Sequence, residues 1–119
     1  MKAYTDINQS KKLAEILPLE SADNVIVSFG SREGTKTVVM PKENLDVISS
    51  PFADIRKTTM CWSLAALLDI LHDYTLQTNS DGSVFVVCDS KKPMISDSYK
   101  NPIDACCTMI VELKERNLI

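Results

Sequence analysis

The segment Met60 to Tyr74 constrains this chain more than any other. Leu64, Leu67, Leu68 and Leu71 recur at the three- and four-residue spacing that lines one side of an α-helix, and Trp62, Ala66 and Ile70 form a second apolar flank beside them. Thr58 and Thr59 stand ahead of the run as capping residues. A helix apolar over so wide an arc has to be covered on more than one side. The segment is therefore expected to be the central and least accessible helix.

What can cover it is bounded by length. With 119 residues the chain is the size of one ordinary domain, 1–119, and a chain of that size removes roughly two-thirds of its unfolded surface from water without a metal or disulfide. A first helix is expected from about Asp6 to Leu17, where Asp6 and Gln9 have N-cap and N3 spacing and Pro18 stops continuation; Ile7, Leu13, Ala14, Ile16 and Leu17 form its apolar side. Val25 to Phe29 and Thr35 to Met40 read as strands around the turn Gly30-Ser31-Arg32-Glu33-Gly34. Pro41 to Thr58 holds neither helical nor strand periodicity for long and reads as a long connection.

After the central helix, Asn79-Ser80-Asp81-Gly82 marks a turn, and Ser83 to Cys88 reads as a third strand. Lys91 to Lys100 reads as a polar loop, and a last helix opens with Asn101 as cap and Pro102 at its first position and runs to Arg116, burying Ile103, Cys106, Ile110 and Leu113. The order α-β-β-α-β-α predicts the α+β class, a small three-stranded sheet packed with three helices.

Composition excludes several functions. An apolar fraction of 45% and a charged fraction of 24% are average for globular chains. No apolar run is long enough to span a bilayer, and no signal-like segment follows Met1, so a cytoplasmic protein with no membrane partner is expected. The net charge is −3 with no cluster of Lys or Arg, which disfavours nucleic acid as a partner. Cys61, Cys88, Cys106 and Cys107 form no Cys-x-x-Cys pair, so reduced, buried thiols are expected and no structural zinc. His72 with Asp69 and Asp73 supplies too few ligands for a metal site, and no cofactor motif is present.

Two residues carry the remaining chemistry. Cys61, followed by Trp62, Ser63 and Leu64, would lie in the first turn of the central helix, where the dipole favours a thiolate. The pair resembles the nucleophile helix of papain-like proteases and transglutaminases, but His72, the only histidine, would sit about 16 Å along the same helix. Trp62 is either a second core contact or an anchor for a partner.

Thr5-Asp6-Ile7, Gln9 through Pro18, Cys61 through Leu68, Asp104-Ala105-Cys106 and Asn117-Leu118 together resemble a family of small uncharacterised proteins from Bacteroides-group gut bacteria and their phages and mobile elements. The likeness covers about a third of the chain, and Val25 to Phe52 departs from it. It implies a phage- or mobile-element-linked origin and transfers no catalytic residue. The expected function is a non-enzymatic interaction or accessory module; the alternative is a cysteine-dependent hydrolase or transferase with Cys61 as nucleophile. Trp62, Ile70, Phe52, Ile55, Met94 and Ile95 lie outside the main helical stripes, so a protein partner or a homodimer is expected to cover some of them.

Overall fold

The structure, a computed structural model, describes residues 2–31, 34–43, 55–71, 73–88 and 95–117. Among these residues the class is α+β, with three α-helices and two small antiparallel sheets.

Helix α1 (Ile7–Ile16) starts where its capping box dictates. The Asp6 carboxylate accepts the Gln9 amide at 2.8 Å and the Gln9 side-chain oxygen accepts the Asp6 amide at 3.1 Å, so two orphan donors of the first turn are satisfied reciprocally. Its buried residues are Leu13 and Ser10, whereas Ile7 stays exposed. Strands β1 (Asn24–Ser31) and β2 (Gly34–Pro41) form the expected antiparallel hairpin, with Val27 opposite Val38 and Asn24 opposite Pro41.

The third strand of that sheet comes from an unexpected place. Ile55–Cys61 is strand β3, antiparallel to β1, so the sheet order is β2-β1-β3. The expected long connection therefore ends at Ile55, and the expected helix at Met60 to Tyr74 shrinks to α2 (Leu64–Ile70), with Ser63 as its N-cap. Thr58 and Thr59, read as caps, are β-branched strand residues. Tyr74–Thr78 is strand β4, paired with β5 (Val84–Cys88) in a separate two-stranded sheet. The expected third strand therefore exists, but it joins β4 instead of the β1–β2 hairpin. Gly82 provides the left-handed turn residue between them, with φ of 89°. Residues 95–99 run antiparallel along β5 through bridges at Val87–Ile95 and Val84–Tyr99.

Helix α3 (Pro102–Glu115) has Asn101 as N-cap, Pro102 in its first turn, and Asn117 in the left-handed region just beyond its end. It buries Pro102, Ala105, Cys107 and Met109 in addition to the stripe Ile103, Cys106, Ile110 and Leu113, whereas α2 buries Leu67 alone. The central helix is thus α3 and not the segment at Met60. It touches α1, α2 and β5, and small side chains at Ala105, Cys106 and Cys107 let those neighbours approach from several sides.

The main apolar cluster joins Leu13, Trp62, Leu67, Leu71, Val86 and the α3 residues. From the three-stranded sheet it draws Met60 and no described residue of β1 or β2. The sheet meets the body through β3, against which α1 lies. The radius of gyration is 16.2 Å and the extents are 53 × 31 × 20 Å, against about 13–14 Å for a compact chain of this length.

Candidate functional site

The residues singled out by sequence meet at the joint between sheet and body. Trp62 follows β3 and has no exposure; its indole N–H donates to the Ser21 hydroxyl at 3.0 Å. The Trp62 amide donates to Thr5 Oγ1 at 3.1 Å, and the Trp62 carbonyl accepts the Thr5 amide at 2.9 Å. Thr5 Oγ1 and Ser10 Oγ lie 2.7 Å apart, both buried, so the buried side of α1 carries a serine whose hydroxyl is satisfied. Asp23, at the entrance to β1, accepts both the Ser63 amide, at 2.9 Å, and the Ser63 hydroxyl. Burial opposes the Asp23 charge, but the Ser63 bonds and a further one from Asn24 outweigh it and hold the carboxyl below its ordinary range. Trp62 is therefore a core residue tied into a satisfied polar joint, and presenting it to a partner would require opening the core.

Cys61 is the last residue of β3, with no exposure, instead of a residue in a helical first turn. Helix α2 begins at Leu64, and the Ala66 amide of its first turn is taken by Ser63 Oγ at 3.3 Å. Burial, with the Asp23 charge adding to it, pushes the Cys61 thiol up to about 11. Burial likewise raises Cys106 and Cys107 to about 11. All three thiols are free. His72, and with it the Asp-x-x-His reading, lies outside the described residues. Among the described residues no three His, Cys, Asp or Glu side chains converge on a common point.

The surface next to this joint has a different character. An open groove of about 580 Å³ is lined by the chain from Lys2 to Asn8 together with Ile26, Thr37 and Val39. Tyr4, Ile7 and Val39 are exposed there, and Ile26 forms part of its floor on the same sheet face as Thr37 and Val39. Val38, on the opposite face of β2, is 44% exposed. At the end of the groove Lys2 Nζ donates to Asp6 at 3.0 Å and to Asp104 at 2.8 Å, while the Gln9 amide nitrogen donates to Asp104 at 2.7 Å. This latch ties the N-terminal segment to α3.

Of the residues expected to need covering, Trp62 is buried, Ile70 is half-buried and Ile95 is 68% exposed. Phe52, Met94 and the Ile55 side chain lie outside the described residues. Sequence reasoning missed Tyr4, Ile7, Val38 and Val39. The signal was present in Val38-Val39: adjacent strand residues point to opposite faces, so a consecutive apolar pair needs cover on both. No protein-family model, no curated protein and no solved structure matches this chain.

Proposed function

We propose that the protein is a non-enzymatic interaction module that engages a protein partner through the face formed by its N-terminal segment and β2. The observation that carries this reading is the gathering of Tyr4, Ile7 and Val39 with Ile26 around one open groove. Exposed apolar side chains are ordinary when scattered, whereas a cluster beside a sheet edge is the usual mark of a contact surface. The polar joint beneath holds that groove in shape, since Thr5 is fixed by Trp62 and Ser10. Three free thiols suit the reducing interior of a cell, which is where we place the module. Its link to phages or mobile elements rests on the sequence resemblance alone.

The test is site-specific photo-crosslinking in the cell of origin. A photoreactive residue at Ile7 is expected to yield discrete adducts that the same probe at Glu115, on the far end of α3, does not. Identical adducts from both positions, or none from Ile7, would overturn the reading. The cysteine-enzyme alternative has no specific observation in its favour, because Cys61 is buried and its thiol is held protonated. Near neutral pH its alkylation should proceed no faster than the protein opens. Rapid stoichiometric labelling of Cys61 in the folded protein would restore the alternative.

A further inference from the structure

We infer that the partner strand of β2 is β2 of a second copy, paired antiparallel about a two-fold axis at Val38; the inference rests on the interaction-module reading above. The backbone of β2 supplies the first argument. The Lys42 amide donates to the Asp23 carbonyl at 3.3 Å, and residues alternate along an antiparallel ladder in the direction their N–H and C=O groups point. With the register of β1 and β2, Met40, Val38 and Lys36 turn their groups toward β1, and Pro41, Val39, Thr37 and Thr35 turn theirs outward. Pro41 thus stands where its missing N–H removes no bond to β1.

Among the described residues the outer edge left by that alternation has no strand neighbour, and its sequence carries a lysine at Lys36 and a proline at Pro41 but no guard between them. Natural sheets protect an edge with lysines, inward charges or bulges. The pairing of β1 with β2 runs without a register shift, whereas that of β1 with β3 shifts between Ser28 and Phe29, and the β3 sequence includes Arg56 and Lys57. From Thr37 to Pro41 the β2 edge is uncharged.

Self-pairing follows from which registers the alternation permits. Outward-pointing residues must face one another, so the two-fold axis has to pass through a residue and not between two. An axis at Val38 sets Thr37 against Val39 of the second copy, and the two exchange amide-to-carbonyl bonds in both directions. Thr35 donates to the Pro41 carbonyl of the second copy, a bond that needs no proline N–H. Val38, among the most exposed large apolar residues at 44%, meets its own copy at a non-hydrogen-bonded position, where side chains approach closest. Lys36 then faces Met40. Moving the axis to Val39 would set Lys36 against Lys42, a like-charge pair, so charge favours the axis at Val38. A two-fold axis normal to the sheet also keeps faces together, which brings the grooves at Ile26 and Val39 of both copies onto one side of a six-stranded sheet.

The experiment is light scattering coupled to size exclusion on the full chain at high micromolar concentration, with Val38→Lys, Val38→Glu and their equimolar mixture. Val38 is exposed, so each variant should keep the wild-type circular dichroism and melting temperature. The wild type is expected to show the dimer mass, and each variant alone should dimerise about tenfold or more weakly because like charges meet at the axis. The mixture should restore the dimer. A monomeric wild type, or a dimer indifferent to both substitutions, overturns the inference. If the wild type is monomeric while the Ile7 crosslinker still captures a distinct protein, self-pairing falls and the interaction reading stands; if both fail, both fall.

Discussion

In the helical body, α3 is covered by α1, α2 and β5 and buries most of its length, while in the three-stranded sheet the outer strand leaves Val38 and Val39 in water. Both regions are rich in apolar residues, so composition does not separate them. What separates them is covering: α3 is enclosed by α1, α2 and β5, whereas among the described residues β2 has a strand neighbour on one edge only and leaves Val38 and Val39 exposed. The stability of this protein should reside in the body and in the packed residues of β1, where Val25 and Val27 have no exposure, and its capacity for contact in the outer strand β2. Substitutions can break that division or sharpen it.

The largest contrast is expected between core truncations and the exposed strand. Leu67→Ala and Met109→Ala each remove a side chain with no exposure and should cost about 2–5 kcal/mol in urea unfolding. Val38→Ala, away from the packed cluster, should stay within about 0.5 kcal/mol. Comparable losses at Val38 and Leu67 would mean that the outer strand is packed as tightly as the body, and the division would fail.

A smaller effect is expected at the joint. Ser63 caps α2 and also gives its amide and hydroxyl to Asp23. Ser63→Ala removes a cap, worth about 1 kcal/mol, and leaves a half-buried carboxylate short of a donor, so the total should reach about 1–3 kcal/mol. Ser63→Thr keeps the hydroxyl and should recover most of the loss. Chemical denaturation of the two variants decides the point, and equal destabilisation by Ala and Thr would show that shape, not the hydrogen bonds, holds the joint.

These regions also differed in how far the sequence revealed them. Where a local signal decided the structure, reading was accurate: the Asp6–Gln9 capping box, the Asn101-Pro102 start of α3 and the β1–β2 hairpin each depend on neighbours a few residues apart. The helix expected over Met60–Tyr74 failed because β3, α2 and β4 follow each other without a Gly or Pro between them, so their apolar residues merge into one helical stripe. The boundary was nevertheless written in Ser63, a better cap than the strand residues Thr58 and Thr59. Tyr74-Thr75-Leu76-Gln77-Thr78 alternates half-buried and exposed residues over its first four positions, the pattern of a strand ahead of the Asn79–Gly82 turn. The polar joint was not legible at all. Thr5, Ser10, Ser21, Asp23 and Ser63 are scattered over nearly sixty residues of chain, and only the fold brings them to Trp62. The same distance effect hid the groove, whose wall at Tyr4 and Ile7 and whose floor at Ile26 and Val39 belong to separate segments.

The smallest effect concerns the latch that closes the end of the groove, and its sign follows from the charges. The Lys2 hydrogen bond is the largest influence on Asp104 and, against a burial cost and with help from Gln9, holds it below the ordinary 3.8. The Gln9 amide, with Lys2 behind it, does the same for Asp6. Burial opposes the charge on Lys2, but Asp104 and Asp6 outweigh it and raise its pKa above 10.5. A carboxyl whose folded pKa is depressed contributes stability that is complete above its unfolded value and lost as pH falls through the folded one; a raised lysine contributes stability below its unfolded value and loses it as pH rises through the folded one. The latch should therefore be intact across the neutral range, weaken as pH falls below about 4 and weaken again as pH rises above about 10.5. All three side chains are at least a quarter exposed, so the change in melting temperature should be slight and should shrink at high salt. Asp104→Asn keeps an acceptor for the Gln9 side chain but removes the titrating group. Its melting temperature should fall less steeply than the wild type's on acidification, and hydrogen exchange at Tyr4 and Thr5 should quicken at neutral pH. An acid slope unchanged by the substitution would show that the N-terminal segment is held by the Thr5–Trp62 hydrogen bonds and not by charge.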